Sequence, residues 1–132
     1  MASKSNRKAG TDFERELCAT LADRDYWCHR LAQNSAGQPF DVLAAKNGRC
    51  YPIDCKVCEN DTFNLSRIES NQFWAMDLWT RCGNGECWFA LQLSDGLVYM
   101  LPYSAAVELS KSHTVLNRRT IEHCCSLLED WV

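Results

Sequence analysis

The sequence predicts an α/β domain with a central mixed five-stranded sheet flanked by helices, in the order α-β-β-β-α-β-β-α. Three observations lead there. Phe13, Leu17 and Leu21 recur at helical spacing near the N-terminus. Two apolar runs meet across Asn47-Gly48, the strongest short hairpin signal, because both central residues of a type I′ turn need positive φ. A second helical stretch is then followed by two further strand-like runs separated by Ser94-Asp95-Gly96.

The elements follow in order. Residues 1–10, with Lys4, Arg7 and Lys8, read as a flexible basic arm, and residues 11–132 as a single domain. The first helix begins at Thr11 and runs to about Arg24. Residues 26–33 are strand-like, and 34–37 form a turn or loop. Residues 40–45 and 50–57 are the hairpin strands. Ser66 opens the second helix, with Glu69 three residues on as a capping box. That helix carries Ile68, Trp74, Ala75, Leu78 and Trp79 and ends near Gly83. Strands follow at 87–93 and 97–101, and a last helix at about 120–131.

Composition narrows the class. The chain is 46% hydrophobic and 23% charged, ordinary for a globular protein, and no apolar run is long enough to span a bilayer. The polar N-terminus lacks the apolar core of a signal peptide, which points to a cytoplasmic protein. Its nine cysteines are then expected as reduced thiols. The net charge of −3 lacks the basic excess usual in a phosphate binder. Carboxylates gathered at a metal site would lower the net charge without removing a local basic patch.

The hairpin register brings chemistry together. Counting outward from Asn47-Gly48, Asp41 falls opposite Asp54 as a non-hydrogen-bonded pair, with Cα atoms ~4.5 Å apart. Facing carboxylates repel, so a proton, a basic neighbour or a cation must offset them. Lys56 lies two residues beyond Asp54 on the same sheet face, opposite Pro39. Pro52 takes a non-hydrogen-bonded position, where its missing N–H costs nothing within the hairpin. Two carboxylates and an ammonium suit metal-assisted phosphodiester hydrolysis. Carboxylate oxygens are hard ligands for Mg²⁺ or Mn²⁺, the cation activates water, and the lysine steadies phosphate charge. The plainer alternative is a salt-bridged surface patch, which gains nothing from opposing two acids.

Four stretches carry a resemblance: residues 10–17 around Glu14, residues 39–44 around Asp41, Ile53-Asp54-Cys55-Lys56-Val57, and Phe63-Asn64-Leu65-Ser66 followed by Asn71-Gln72. Together they resemble the PD-(D/E)xK nuclease superfamily, and within it the Holliday junction resolvases of archaeal and RecU-like bacterial and phage kinds. The resemblance covers roughly residues 8–93. It implies a restriction-endonuclease-like core and a Mg²⁺- or Mn²⁺-dependent endodeoxyribonuclease acting as a homodimer on branched DNA, in a bacterial, archaeal or phage-infected cell. It implies that Asp41, Asp54 and the Cys55 carbonyl bind the cation, that Glu14 completes the site, that Lys56 assists the attacking water, and that Gln72 lines the site. The sequence has Asp54 where these enzymes most often carry Glu, one methylene shorter with the same chemistry.

Several residues keep a second reading. Thr11 to Glu14 fits a capping box, so Glu14 is either a cap or a ligand. Gln72 is either a site residue or a satisfied buried amide. Cys55, Cys58, Cys82 and Cys87 invite a zinc site, against their loose spacing and opposite strand faces. Arg7, Lys8, Arg30, Asn34 and Ser35 are candidate DNA contacts or ordinary solvated surface. The five tryptophans read as core or dimer interface. Two other functions stay open: a different nuclease of the same superfamily, in repair, restriction or phage DNA processing, and a non-catalytic DNA-binding module.

Overall fold

The computed structural model describes residues 4–32 and 37–131, with side chains from Arg7 onward. Helix α1 (Lys4–Ala22) is followed by strands β1 (Trp27–Arg30), β2 (Val42–Lys46) and β3 (Arg49–Cys58). Next come the short strand β4 (Phe63–Asn64), a 3-10 turn (Leu65–Arg67) and helix α2 (Ser70–Arg81). The remainder is β5 (Trp88–Leu93), β6 (Val98–Pro102), α3 (Tyr103–Ser110), β7 (Val115–Leu116), α4 (Arg118–Cys124), β8 (Ser126–Leu127) and a closing 3-10 turn (Leu128–Asp130).

The main sheet has the order β1-β2-β3-β5-β6-β8, and β4 pairs with β7 in a small separate sheet. All neighbours in the main sheet are antiparallel except β3 and β5. A parallel pair needs a long crossover, and α2 lies within it. The two faces bury different cores. Phe13, Leu17 and Leu21 of α1 cover Val42, Ala44, Ile53, Ala90 and Met100. Met76, Ala106 and Ile121, from the three later helices, pack with Phe89, Leu91 and Leu101 on the other face. Alternation along β3 therefore sends Ile53 to α1 and Asp54 to α2.

The mixed sheet flanked by helices is as expected, with six strands rather than five. The sixth is β8, in the stretch expected to continue as the last helix. Cys125 is extended, with φ −119° and ψ 156°. Ser126 and Leu127 then pair with Met100 and Tyr99, covering the β6 edge. A two-residue strand has no periodicity to show. Helix α3 was also not anticipated, although Tyr103 and Ala106, its buried residues, stand at helical spacing.

Three local expectations are corrected. The segment read as a flexible arm is helical from Lys4, which puts Glu14 in mid-helix and removes its capping reading. Ser66 sits in the 3-10 turn, where Asn64 caps its N–H, and α2 begins at Ser70. Gln72 Oε1 accepts from Glu69 N–H at 3.1 Å, so the reciprocal cap lies three residues later than expected.

The third correction concerns the hairpin. Asn47 and Gly48 have φ of 53° and 79°, and the expected register holds from Lys46–Arg49 to Val42–Ile53. There it stops. Asp41 N–H donates to the Ile53 carbonyl at 3.0 Å, the residue that Val42 already faces. Two successive residues thus answer to one, the count of a β-bulge, and Asp41 does not advance to a ladder position opposite Asp54. Nor does Lys56 face Pro39; its ladder partner is Leu91 of β5.

Candidate active site

The bulge opens the site. Beyond Ile53, β3 keeps β5 on one edge while β2 has ended on the other. Residues of β3 past this point would leave backbone groups unpaired in the sheet interior. Asp41 meets the first of them, its Oδ2 accepting from Cys55 N–H at 2.8 Å. The N–H and C=O of one strand residue project to the same side, so the Cys55 carbonyl faces this open edge too. Asp41 Oδ1 accepts from Gln38 Nε2 at 3.1 Å.

A cleft of about 440 Å³ lies along this edge, lined by Glu14, Arg30, Asp41, Asp54, Cys55, Lys56 and Gln72, with Arg7 from the extended α1. The structure thus gathers most of the residues singled out in the sequence. Lys8 instead pairs with Asp12 at 3.0 Å on the exposed side of α1 and does not line the cleft. Asn34 and Ser35 lie outside the described residues. Gln38 and Arg67 were not anticipated. Gln38 stands in an irregular segment with no periodicity. Arg67 acts through its main-chain carbonyl, which its side chain does not announce.

Asp54 is 1% exposed, in an interior strand. Gln72 Nε2 donates to its Oδ1 at 2.8 Å. Lys56 Nζ lies 3.1 Å from its Oδ2, an ion pair without hydrogen-bond geometry, and donates to the Arg67 carbonyl at 3.0 Å and to Gln72 Oε1 at 3.4 Å. Burial first, and then the Asp41 charge, raise the Asp54 pKa well above the usual carboxylate range, with Lys56 opposing. Glu14 is 7% exposed. Its pKa is raised by the same two causes, and Arg30, whose Nε is 3.5 Å from Glu14 Oε1, offsets part of the rise.

Among the described residues, Asp54 Oδ2 and Glu14 Oε1 each have an ion-paired cation, Lys56 and Arg30, but no hydrogen-bond donor. Buried carboxylate oxygens without donors are costly, and a cation is one way to satisfy them. Among the described residues, no three His, Cys, Asp or Glu side chains converge into a ready metal cage. Mg²⁺ does not require one, since it keeps several waters and uses one or two carboxylates plus substrate phosphate. The donor set fits a hard divalent cation. Structural zinc gains no support, because Cys58 and Cys87 are buried in the core while Cys82 is exposed.

A mixed sheet with an acid–acid–lysine cluster at an opened strand edge defines a nuclease of the PD-(D/E)xK type. The sequence matches the family model "Archaeal holliday junction resolvase (hjc)" over residues 5–130, and the chain belongs to that family. Its fold is similar to that of Hjc from Archaeoglobus fulgidus, a Holliday junction resolvase from an archaeal hyperthermophile. The TM-score is 0.70 at 18% identity, covering 92% of this chain and 93% of that one. No curated protein matches this sequence. The chain is accordingly a structure-specific endonuclease whose substrate is DNA at four-way junctions.

Proposed function

We propose that junction cleavage by this chain depends on Mg²⁺ or Mn²⁺, held by Asp41, Asp54 and the Cys55 carbonyl, with Glu14 completing the site. The observation that carries this is a pair of buried acceptors in one cleft, Asp54 Oδ2 and Glu14 Oε1, with no hydrogen-bond donor among the described residues. When bound, the cation polarises the phosphoryl oxygen and lowers the pKa of water. Lys56, held by two hydrogen-bond acceptors and its ion pair with Asp54, would steady charge developing on the phosphate and orient the attacking water. Gln72 holds Asp54 and Lys56 in fixed relation through its two amide ends. Arg7 and Arg30 supply positive charge at the cleft despite the net charge of −3.

We further propose a single nuclease domain that works as a homodimer in the cytoplasm, each copy cutting one strand. Trp27 and Trp74 are 61% and 65% exposed, and Leu78 stands one turn from Trp74 on α2. Large exposed apolar side chains of this kind are typical of interfaces. No helix among the described residues is long and apolar enough to cross a membrane. The test is cleavage of a synthetic four-way junction, with sedimentation run in parallel. Paired symmetric nicks with Mg²⁺ or Mn²⁺ are expected from a dimer; robust cutting in excess EDTA would remove the cation from the mechanism.

A further inference from the structure

Cys18 of α1 and Cys28 of β1 meet with their sulfurs 3.2 Å apart, and both are partly exposed. Cys18 lies one helical turn beyond Glu14, and Cys28 lies two residues before Arg30 on the same strand face. The two elements are therefore joined by two adjacent rungs, Glu14–Arg30 in the cleft and Cys18–Cys28 beside it.

We propose that Cys18 and Cys28 form a reversible dithiol–disulfide site that ties α1 covalently to β1 next to the active cleft. The geometry is nearly sufficient. A disulfide needs an S–S distance of about 2.05 Å, so the sulfurs must approach by roughly 1.1–1.2 Å. Both residues are partly buried at the edge of the core beneath α1, not closed within it. The two sulfurs share an S–H···S hydrogen bond, which stabilises a thiolate on the accepting sulfur, written below as Cys18. Four of the other seven thiols differ plainly. Cys50 and Cys82 are exposed without a sulfur contact among the described residues, and Cys58 and Cys87 are closed in the core.

With hydrogen peroxide as oxidant, the step balances. The Cys18 thiolate attacks one peroxide oxygen; an S–O bond forms, the O–O bond breaks, and the departing hydroxide takes a proton to leave as water. Deprotonated Cys28 then attacks the Cys18 sulfur; the S–S bond forms, the S–O bond breaks, and the second oxygen leaves as water. Two thiols lose two electrons and one peroxide becomes two waters. An external dithiol reverses the bond by exchange. The loop closed is short, and its closure restricts the unfolded chain.

The test is peptide mapping of the intact protein after a stoichiometric pulse of hydrogen peroxide. Trypsin cuts after Arg15, Arg24 and Arg30, so Cys18 and Cys28 fall on separate peptides. The expected result is a loss of two mass units, a linked peptide pair released by dithiothreitol, and a melting temperature raised by roughly 5–10 °C in the oxidised protein. Cys18→Ser or Cys28→Ser should abolish the link, and the double variant Cys50→Ser/Cys82→Ser should retain it. Linkage through any other cysteine, or oxidation of Cys18 beyond the sulfenic level in place of a link, would overturn the proposal.

Discussion

Gln72 Nε2 donates to Asp54 Oδ1 at 2.8 Å while Gln72 Oε1 accepts from Glu69 N–H at 3.1 Å. One amide from the first turn of α2 thus grips a buried acid of β3 and closes its own helix end. The pairing also fixes which end of the amide is which, since the acid needs a donor and the backbone N–H an acceptor. Gln72→Ala should free both Asp54 and Lys56 and lower the single-turnover junction cleavage rate by about 10- to 100-fold, the usual cost of losing a partner that orients a ligand. Gln72→Glu should do at least as much harm, by placing another carboxylate against Asp54. An unchanged rate in both variants would make Gln72 a helix cap and nothing more.

Asp54→Asn and Lys56→Ala should each reduce cleavage at least ~10³-fold, as loss of groups acting on the reacting phosphate does. Junction affinity, read by gel shift in Ca²⁺, should change far less. Loss of affinity and rate in equal measure would place these residues in substrate binding instead.

Stability should depend on pH with a defined sign. The folded-state pKa values of Asp54 and Glu14 are both raised. The folded protein therefore holds protons that the unfolded chain has released. Their contribution is complete below the unfolded values, about 3.9 for Asp and 4.3 for Glu, and is lost as pH rises through the raised folded ones. In metal-free buffer the melting temperature should fall across that interval, less so in Asp54→Asn. Mg²⁺ at neutral pH should restore part of the loss by binding the ionised form. A wild-type profile that matches Asp54→Asn, with or without Mg²⁺, would contradict this.

Arg7 and Lys8 are neighbours in sequence with different surroundings, Arg7 in the cleft and Lys8 paired with Asp12 outside it. Arg7→Ala should weaken junction binding and reduce the slope of log affinity against log salt by about 1. Lys8→Ala should leave the slope nearly unchanged. Equal effects would assign both to a diffuse electrostatic surface.

Gly48 offers a check on the hairpin. A Cβ there meets nothing within 4 Å, yet its φ is +79°. The cost of substitution is therefore conformational. Gly48→Val should lower unfolding free energy by about 1–2 kcal/mol in urea, whereas Gly48→Asn should be close to neutral. Equal stability of the two variants would mean that the turn relaxes out of its positive-φ form.

The hairpin also marks the limit of what was legible in the chain. Turn type and the register of five residue pairs depend on local dihedral preference and strand alternation, and both could be counted from Asn47-Gly48. The departure at Asp41 could not. It exists because β2 stops while β3 runs on beside β5, leaving the Cys55 N–H for a carboxylate to take. The acids were therefore rightly paired but for an incomplete reason: they meet across an opened edge, not as facing members of a ladder.

By itself the sequence determined the helical period of α1, the hairpin and the amphipathic α2, and singled out Glu14, Asp41, Asp54, Lys56 and Gln72 as candidates, all from short-range pattern or family resemblance. Tertiary structure alone decided that Arg7 lines the cleft, that β8 completes the sheet, and that Gln38 and the Arg67 carbonyl hold Asp41 and Lys56. These depend on contacts between residues distant in sequence or on main-chain atoms. Burial of a carboxylate such as Asp54, and hence its demand for a proton or a cation, becomes a physical quantity only once the sheet and α2 have closed over it.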